Sequence, residues 1–352
     1  MLAYDALRVF AIATVVAIHS FMPLRPVLAP TSVPMVIDDL LHYAVPLFVF
    51  ISGALVWSRP WDRSPGAYRA FMGKRLAQIG LPYLAWALLY LAVLVANSPD
   101  PTAVLARAPG LLATGHVWYH LYFIPMLLTF YALTPIASRA IRSHPEFVLI
   151  AVYAVRIALW PAASAWLREA APGLPWQYAT HIATHLPHML LGAWFALRLP
   201  TMPRALRRAW PLLLVAGTLA LLALSTGASA DWPTALRRLS YPLGMAGTVL
   251  GLALGAFSLE QPLRRASRAL CALSPLTFGV YFVHPLWLLA LETAVREAGF
   301  AAVWLAWWAV PVAWALIGTA SLAVAAILAR FRATAWLVGA PHHTSSRAQD
   351  SQ

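Results

Sequence analysis

The sequence predicts an all-α integral membrane protein, a single bundle of about ten transmembrane helices with both termini in the cytoplasm. Two observations support this fold class. Of the 352 residues, 61% are hydrophobic and only 11% are charged, whereas a soluble domain keeps about 25% charged residues. The apolar residues also form blocks of about 20, which is the length that crosses a bilayer as a helix. Ten such blocks leave only short loops within the chain.

The apolar blocks define the helices in chain order. The fifth of them is interrupted by Arg156. We predict one transmembrane domain over residues 1–335, followed by a short polar tail at 336–352 that is disordered. The predicted spans are 5–24, 42–58, 79–96, 117–136, 147–163, 180–199, 209–226, 240–258, 272–291 and 301–329.

The orientation follows from the Lys and Arg residues, which accumulate in short cytoplasmic loops. This sidedness explains the net charge of +13 without a nucleic-acid partner. The lone Cys271 excludes an internal disulfide and a cysteine metal cluster. The basic residues assigned to the cytoplasmic side are Arg8, Arg59, Arg63, Arg69, Lys74, Arg75, Arg139, Arg142, Arg198, Arg204, Arg207, Arg208, Arg264, Arg265, Arg268, Arg330, Arg332 and Arg347.

The first span carries two ionisable residues that share a face. Arg8 and His19 are separated by three helical turns plus about 20°, which places them about 16 Å apart along the axis. Asp5 lies one turn below Arg8, where it can pair with the guanidinium. Ionisable groups inside a span are costly and usually mark a function. The alternatives are that Arg8 reaches the cytoplasmic headgroups and that His19 is a hydrogen-bonded interior group.

A second set of histidines lies at the outer end of the sixth span. His181, His185 and His188 follow helical spacing, and three such ligands can bind zinc with an open position. Pro187 interrupts the run and no carboxylate is close, so we predict no metal and leave the role of these histidines open. The same interpretation applies to His116 and His120.

Five segments, in order, resemble the membrane-bound acyltransferase-3 family, which O-acylates surface glycans and similar acceptors. One departure is Gln78, because many members carry a second Arg at this place in the first cytoplasmic loop. The segments are Arg8 with His19; Tyr43 to Gly53, which contains Pro-Leu-Phe and Ser-Gly; Lys74-Arg75 followed by Leu81-Pro82-Tyr83; His116 to Phe123 with Tyr131 and Pro135 after it; and Gly279 to Pro285, which contains Tyr-x-x-His-Pro.

The resemblance implies an O-acyltransferase of the bacterial inner membrane. Its co-substrate is acyl-CoA, most often acetyl-CoA, and no resident cofactor or metal is expected. The expected partners are acyl-CoA, a glycan or lipid-linked saccharide acceptor and membrane lipids, with no nucleic acid. The implied site residues are His19 and Arg8 for catalysis; Arg8, Lys74 and Arg75 for the donor; and Asp5, Ser52, His120, Trp118, Tyr281 and His284 for support or for the acceptor side.

The residues leave several alternatives open. Arg8 can hold a phosphate of CoA, while His19 can act as a general base or accept the acyl group covalently. Trp118, Tyr119 and Tyr122 can stack on a sugar or form an interfacial aromatic belt. A ten-helix transporter or flippase would also suit intramembrane Arg and His residues, although the related halves and broken helices common in transporters are not evident. A purely structural partner would leave His19 without a purpose.

Overall fold

The computed structural model describes residues 2–58 and 64–339. Within these ranges the chain is helical and contains no strand. Arg59 and Arg63 of the predicted basic loop, and residues 340–352 of the predicted tail, lie outside the described residues. The helices are α1 (Leu2–Ser20), α2 (Val33–Leu41), α3 (Ala44–Trp57), α4 (Pro65–Arg75), α5 (Leu81–Ala96), α6 (Pro101–Thr114), α7 (Phe123–Ser143), α8 (Pro145–Ala158), α9 (Trp160–Ala170), α10 (Leu174–Arg198), α11 (Arg204–Arg208), α12 (Trp210–Ser225), α13 (Thr234–Ser258), α14 (Glu260–Arg265), α15 (Ser267–Leu273), α16 (Thr277–Glu297), α17 (Ala301–Trp304) and α18 (Ala309–Arg330).

The predicted all-α membrane bundle is confirmed, because a helix overlaps each of the ten predicted spans. By length and hydropathy, seven helical segments of the described ranges can cross a membrane, and the α8–α9 pair would be an eighth. Helix α12 is apolar but has only 16 residues. The number of ten spans, the cytoplasmic termini and the domain boundary at residue 335 stay predictions.

Two predicted spans differ from the structure. The fourth was placed at 117–136, but α7 begins only at Phe123, and residues 115–122 form turns. His116 and His120 therefore do not share a helical face. The fifth was placed at 147–163, yet α8 and α9 meet near Leu159 at an angle of 58°. Pro161 follows this bend, and a proline disfavours the helical conformation of the residue before it.

Glycines allow a close backbone contact between α3 and α10. A Cβ atom on Gly192 would lie 2.0 Å from the carbonyl oxygen of Phe50, and one on Gly53 would lie 2.1 Å from that of Met189. Membrane helices associate through such small residues because close backbone approach supplies their van der Waals contact. The two helices are therefore held in one register.

Helix α1 is packed among the other helices. It contacts α3, α13, α16 and α18, and the indole of Trp314 donates to the carbonyl oxygen of Ala13 at 2.8 Å. Beyond the C-terminal end of α1, the guanidinium of Arg25 donates to both carboxylate oxygens of the buried Asp38, at 2.7 and 3.0 Å. The same guanidinium donates to the carbonyl oxygen of Ile18 at 3.3 Å. These bonds fix the helix end that carries His19.

Candidate functional site

A cavity of ≈ 260 Å³ runs along the face of α1 that carries both predicted residues. Arg8 and His19 both line it, as the helical spacing predicted. Because α1 is an unbroken helix, the cavity spans about 16 Å between these two side chains. The apolar part of the wall comes from Val15, Val45, Phe48, Ile51, Leu55, Ile79, Phe123, Ile124, Leu127 and Phe278.

At one end of the cavity, His19 is paired with a second histidine. Nδ1 of His19 lies 2.6 Å from Nε2 of His284, and the two rings are nearly parallel. Nδ1 of His284 lies 3.0 Å from the carbonyl oxygen of Val280, which can only accept a hydrogen bond. In a neutral ring, His284 therefore donates from Nδ1 and accepts at Nε2, so His19 donates from Nδ1. This chain of bonds leaves Nε2 of a neutral His19 unprotonated and able to act as a base.

The turn at 115–122 brings two more rings to the same end. It begins at Gly115, whose φ of 77° suits glycine, and a Cβ there would lie 2.5 Å from the Cα of Tyr122. Tyr119 and His120 both line the cavity. The Tyr119 ring meets the His19 ring edge-on at 4.8 Å between centroids. The hydroxyl of Tyr281 donates to the carbonyl oxygen of His120 at 2.8 Å, which ties the turn to α16.

Arginine side chains line the other part of the cavity. Arg8 donates from Nη1 to Asp5 at 3.1 Å, and the hydroxyl of Ser274 also donates to that carboxylate, at 2.7 Å. Arg75 lines the cavity with its guanidinium 5.0 Å from the ring of Tyr131 and 5.2 Å from that of Phe71. These contacts hold both cations in place while most of their N–H donors remain available, since a guanidinium carries five.

A π-helical segment at Leu76–Gly80 connects Arg75 to α5. Short π-helical stretches inside helices are frequent at functional sites, because the extra residue rotates the side chains that precede it relative to those that follow. Lys74, which precedes Arg75, is exposed and lies outside the cavity lining. The donor-binding role predicted for Lys74 is untested.

The remaining predicted site residues are divided between the cavity and its surroundings. Ser52 and Tyr281 line the cavity, and the Ser52 hydroxyl donates to the Phe48 carbonyl oxygen of its own helix at 2.9 Å. Trp118 lies outside the lining and packs on Tyr90, with 5.1 Å between ring centroids. His284 is completely buried behind His19. The structure thus brings most of the predicted residues to one cavity, and their roles stay predictions.

The histidines of α10 lie outside the cavity lining and contact it through Tyr122, which is a lining residue. His181 stacks on Tyr122 at 3.7 Å between centroids and lies 5.5 Å from His116. His185 and His188 are buried on the same helix. Within the described ranges, no three His, Cys, Asp or Glu side chains are placed to hold a metal ion.

Sequence reasoning missed the two aromatic residues that flank the charged groups. Tyr119 was considered only as a sugar platform or a belt residue, yet its ring contacts His19. Tyr131 is part of the resemblance in the fourth span only, yet its ring packs against the guanidinium of Arg75. Periodicity along the sequence cannot reveal either contact, because each contact joins residues from different segments of the chain.

Comparison with known protein families gives a match over nearly the whole described chain. A family model described as an acyltransferase domain matches residues 1–330. Comparisons with curated proteins and with solved structures gave no match. The matched range includes the complete lining of the cavity, from Arg8 to Tyr281.

Proposed function

Because this chain belongs to the acyltransferase-3 family and is a multi-pass membrane acyltransferase, we propose that it moves an acetyl or similar small acyl group from cytoplasmic acyl-CoA to a glycan hydroxyl. The acceptor is a cell-surface or lipid-linked saccharide, and the membrane is the bacterial inner membrane. The observation that carries the proposal is the single cavity that joins Arg8 and Arg75 to His19.

Two fixed guanidinium groups suit the CoA part of the donor. Phosphate groups are bound by charge-assisted hydrogen bonds, and the planar fork of arginine matches their geometry. Arg8 also donates a hydrogen bond to Asp5, but that bond uses only one N–H of the guanidinium. Arg75 has no carboxylate within ion-pair distance among the described residues. The apolar wall between the arginines and His19 suits an extended pantetheine arm.

The histidine pair suits proton transfer at the other end. The acceptor hydroxyl oxygen attacks the carbonyl carbon of the thioester, and its proton passes to Nε2 of His19. The C–S bond then breaks, and the CoA thiolate leaves with the proton from His19. The acyl group remains on the acceptor as an ester. His284 orients the His19 ring during both proton transfers, as an orienting group does for other catalytic histidines.

A transport assay and an acyl-transfer assay on the same membranes test this proposal. Membranes that contain the protein receive labelled acetyl-CoA and a panel of glycan acceptors. We expect label that mild alkali releases, because an ester is cleaved by alkali. If the unmodified acceptor crossed the membrane and no donor of a panel gave acyl transfer, the result would instead support the alternative that the protein is a transporter or flippase.

A further inference from the structure

The proposed mechanism leaves one buried histidine of the cavity, His120, without a chemical step. His120 is 4% exposed and lines the cavity. Both of its ring nitrogens are buried, and neither has a hydrogen-bond partner within the described part of the chain. The same is true of His116 and His188, but of these three histidines only His120 lines the cavity. A buried polar group without a partner destabilises the folded protein, so such groups call for an explanation. A ligand that occupies the cavity and bonds to this ring would supply one.

The position of His120 is fixed by packing on all sides. Its ring centroid lies 5.0 Å from that of Tyr281, 5.3 Å from that of Tyr90 and 5.5 Å from that of Tyr119. Its main chain is fixed by the hydrogen bond from the Tyr281 hydroxyl. No hydrogen bond from a described residue selects the ring tautomer, so either nitrogen can carry the proton. A neutral His120 therefore carries one ring N–H, on either nitrogen, that no described residue accepts.

The distance between His120 and His19 fits a reacting carbonyl group. Their ring centroids are 6.5 Å apart and their planes are inclined by 70°. A hydrogen bond spans about 3 Å, so a carbonyl oxygen bonded to His120 leaves the carbonyl carbon close to a hydroxyl bonded to His19. The two rings are therefore close enough for a single reacting centre to contact both of them.

We propose that His120 is a second catalytic residue that stabilises the negative charge on the thioester carbonyl oxygen. The inference rests on the proposed acyl transfer. As the hydroxyl oxygen forms its bond to the carbonyl carbon, the π electron pair moves to the carbonyl oxygen, which accepts a hydrogen bond from His120. The hydroxyl proton goes to His19. When the C–S bond breaks, the carbonyl double bond re-forms and the sulfur leaves as thiolate.

His19 and His120 differ in their hydrogen-bonded partners, and this difference matches the roles of base for His19 and oxyanion donor for His120. A catalytic base is usually oriented by a third group, and His19 has such a group in His284. His120 has none. A hydrogen-bond donor to an oxyanion needs only an N–H at a fixed place in a water-poor site. A neutral histidine serves this purpose in other enzymes.

Three variants test the proposal in the full-length protein. His120→Phe keeps a ring of similar size without a donor, and His120→Gln restores an N–H donor without an imidazole. His116→Phe is the matched control, because His116 lies in the same turn but outside the cavity lining. Turnover, acetyl-CoA affinity and the pH dependence of turnover are measured for protein that elutes as a single species in detergent.

We expect His120→Phe to lose about 10²–10³-fold in turnover, the usual cost of one oxyanion donor, with donor affinity within about twofold of wild type. His120→Gln should recover at least tenfold and keep the wild-type pH profile, because His19 remains the base. Turnover of His120→Phe within about threefold of wild type would overturn the role. An inactive His120→Gln that still binds acetyl-CoA, or a changed pH profile, would overturn it too. A wild-type protein that neither binds acetyl-CoA nor transfers acyl groups would overturn the proposed function itself.

Discussion

The hydrogen bond between His19 and His284 gives the most demanding prediction. The substitution His284→Phe removes the acceptor for Nδ1 of His19 and keeps a ring in a completely buried position. Without that acceptor the His19 ring is free to change its tautomer and its orientation. We therefore expect a lower turnover, while the binding of acetyl-CoA at the arginine end of the cavity stays unchanged.

The size of the effect follows from the chemistry of the partner. Losing the hydrogen-bonded partner that orients a metal-ligating histidine costs about 10–100-fold. We expect the same scale for His19, which is about 1.4–2.7 kcal/mol of activation free energy. Replacing the orienting carboxylate of a serine-protease triad costs about 10⁴-fold, because the histidine then has the wrong tautomer and its imidazolium also loses a stabilising charge. A neutral imidazole does not supply that charge, so the smaller range applies to His284.

Steady-state acyl transfer by the purified protein measures this prediction. His284→Gln is the conservative variant, because its amide oxygen can accept from Nδ1 of His19 and should recover part of the loss. His188→Phe is the matched control: this histidine is 3% exposed and lies outside the cavity lining. We expect it to leave turnover within about threefold. If folded His284→Phe kept more than a third of wild-type turnover, the orienting role would be refuted.

Three further predictions concern the donor, the helix packing and the orientation. Arg8→Ala should weaken acetyl-CoA binding by about 1.5–3 kcal/mol, and Arg8→Lys should recover only part of it because the planar fork is lost; equal affinities by calorimetry would contradict this. Gly192→Ala should lower the yield of folded protein, because its Cβ would clash with a backbone oxygen, whereas Gly318→Ala, where that position is open, should not; equal yields would contradict the packing. Reporter fusions after Arg207 should report cytoplasm and fusions near Asp231 the outer side; the reverse would overturn the charge argument.

The fold could be predicted where the apolar blocks determine it. Blocks of about 20 residues must form helices in a bilayer, because their backbone groups have no other partners there. The prediction from composition was wrong at residues 117–122, because this segment is as apolar and aromatic as a membrane-spanning helix. Gly115 adopts a positive φ there and ends α6, and the main chain continues in turns that carry Tyr119 and His120 to the cavity. No hydrophobic pattern distinguishes such a turn from a helix.

The site could be predicted where it lies within one helix. The spacing of Arg8 and His19 fixed their common face from helix geometry alone, and both residues line the cavity. The contact between His19 and His284 joins positions 265 residues apart, so no local periodicity reports it. Only the resemblance to the acyltransferase-3 family pointed to His284, and it did not say which ring atoms meet.

The most direct test of the proposed mechanism is the turnover of His19→Ala measured together with its acetyl-CoA affinity. His19 supplies the base at one end of the cavity, while the arginines bind the donor at the other. We therefore expect donor affinity to remain at the wild-type level and turnover to fall at least about 100-fold, the scale of a lost general base. Unchanged turnover in a correctly inserted His19→Ala protein would contradict the account.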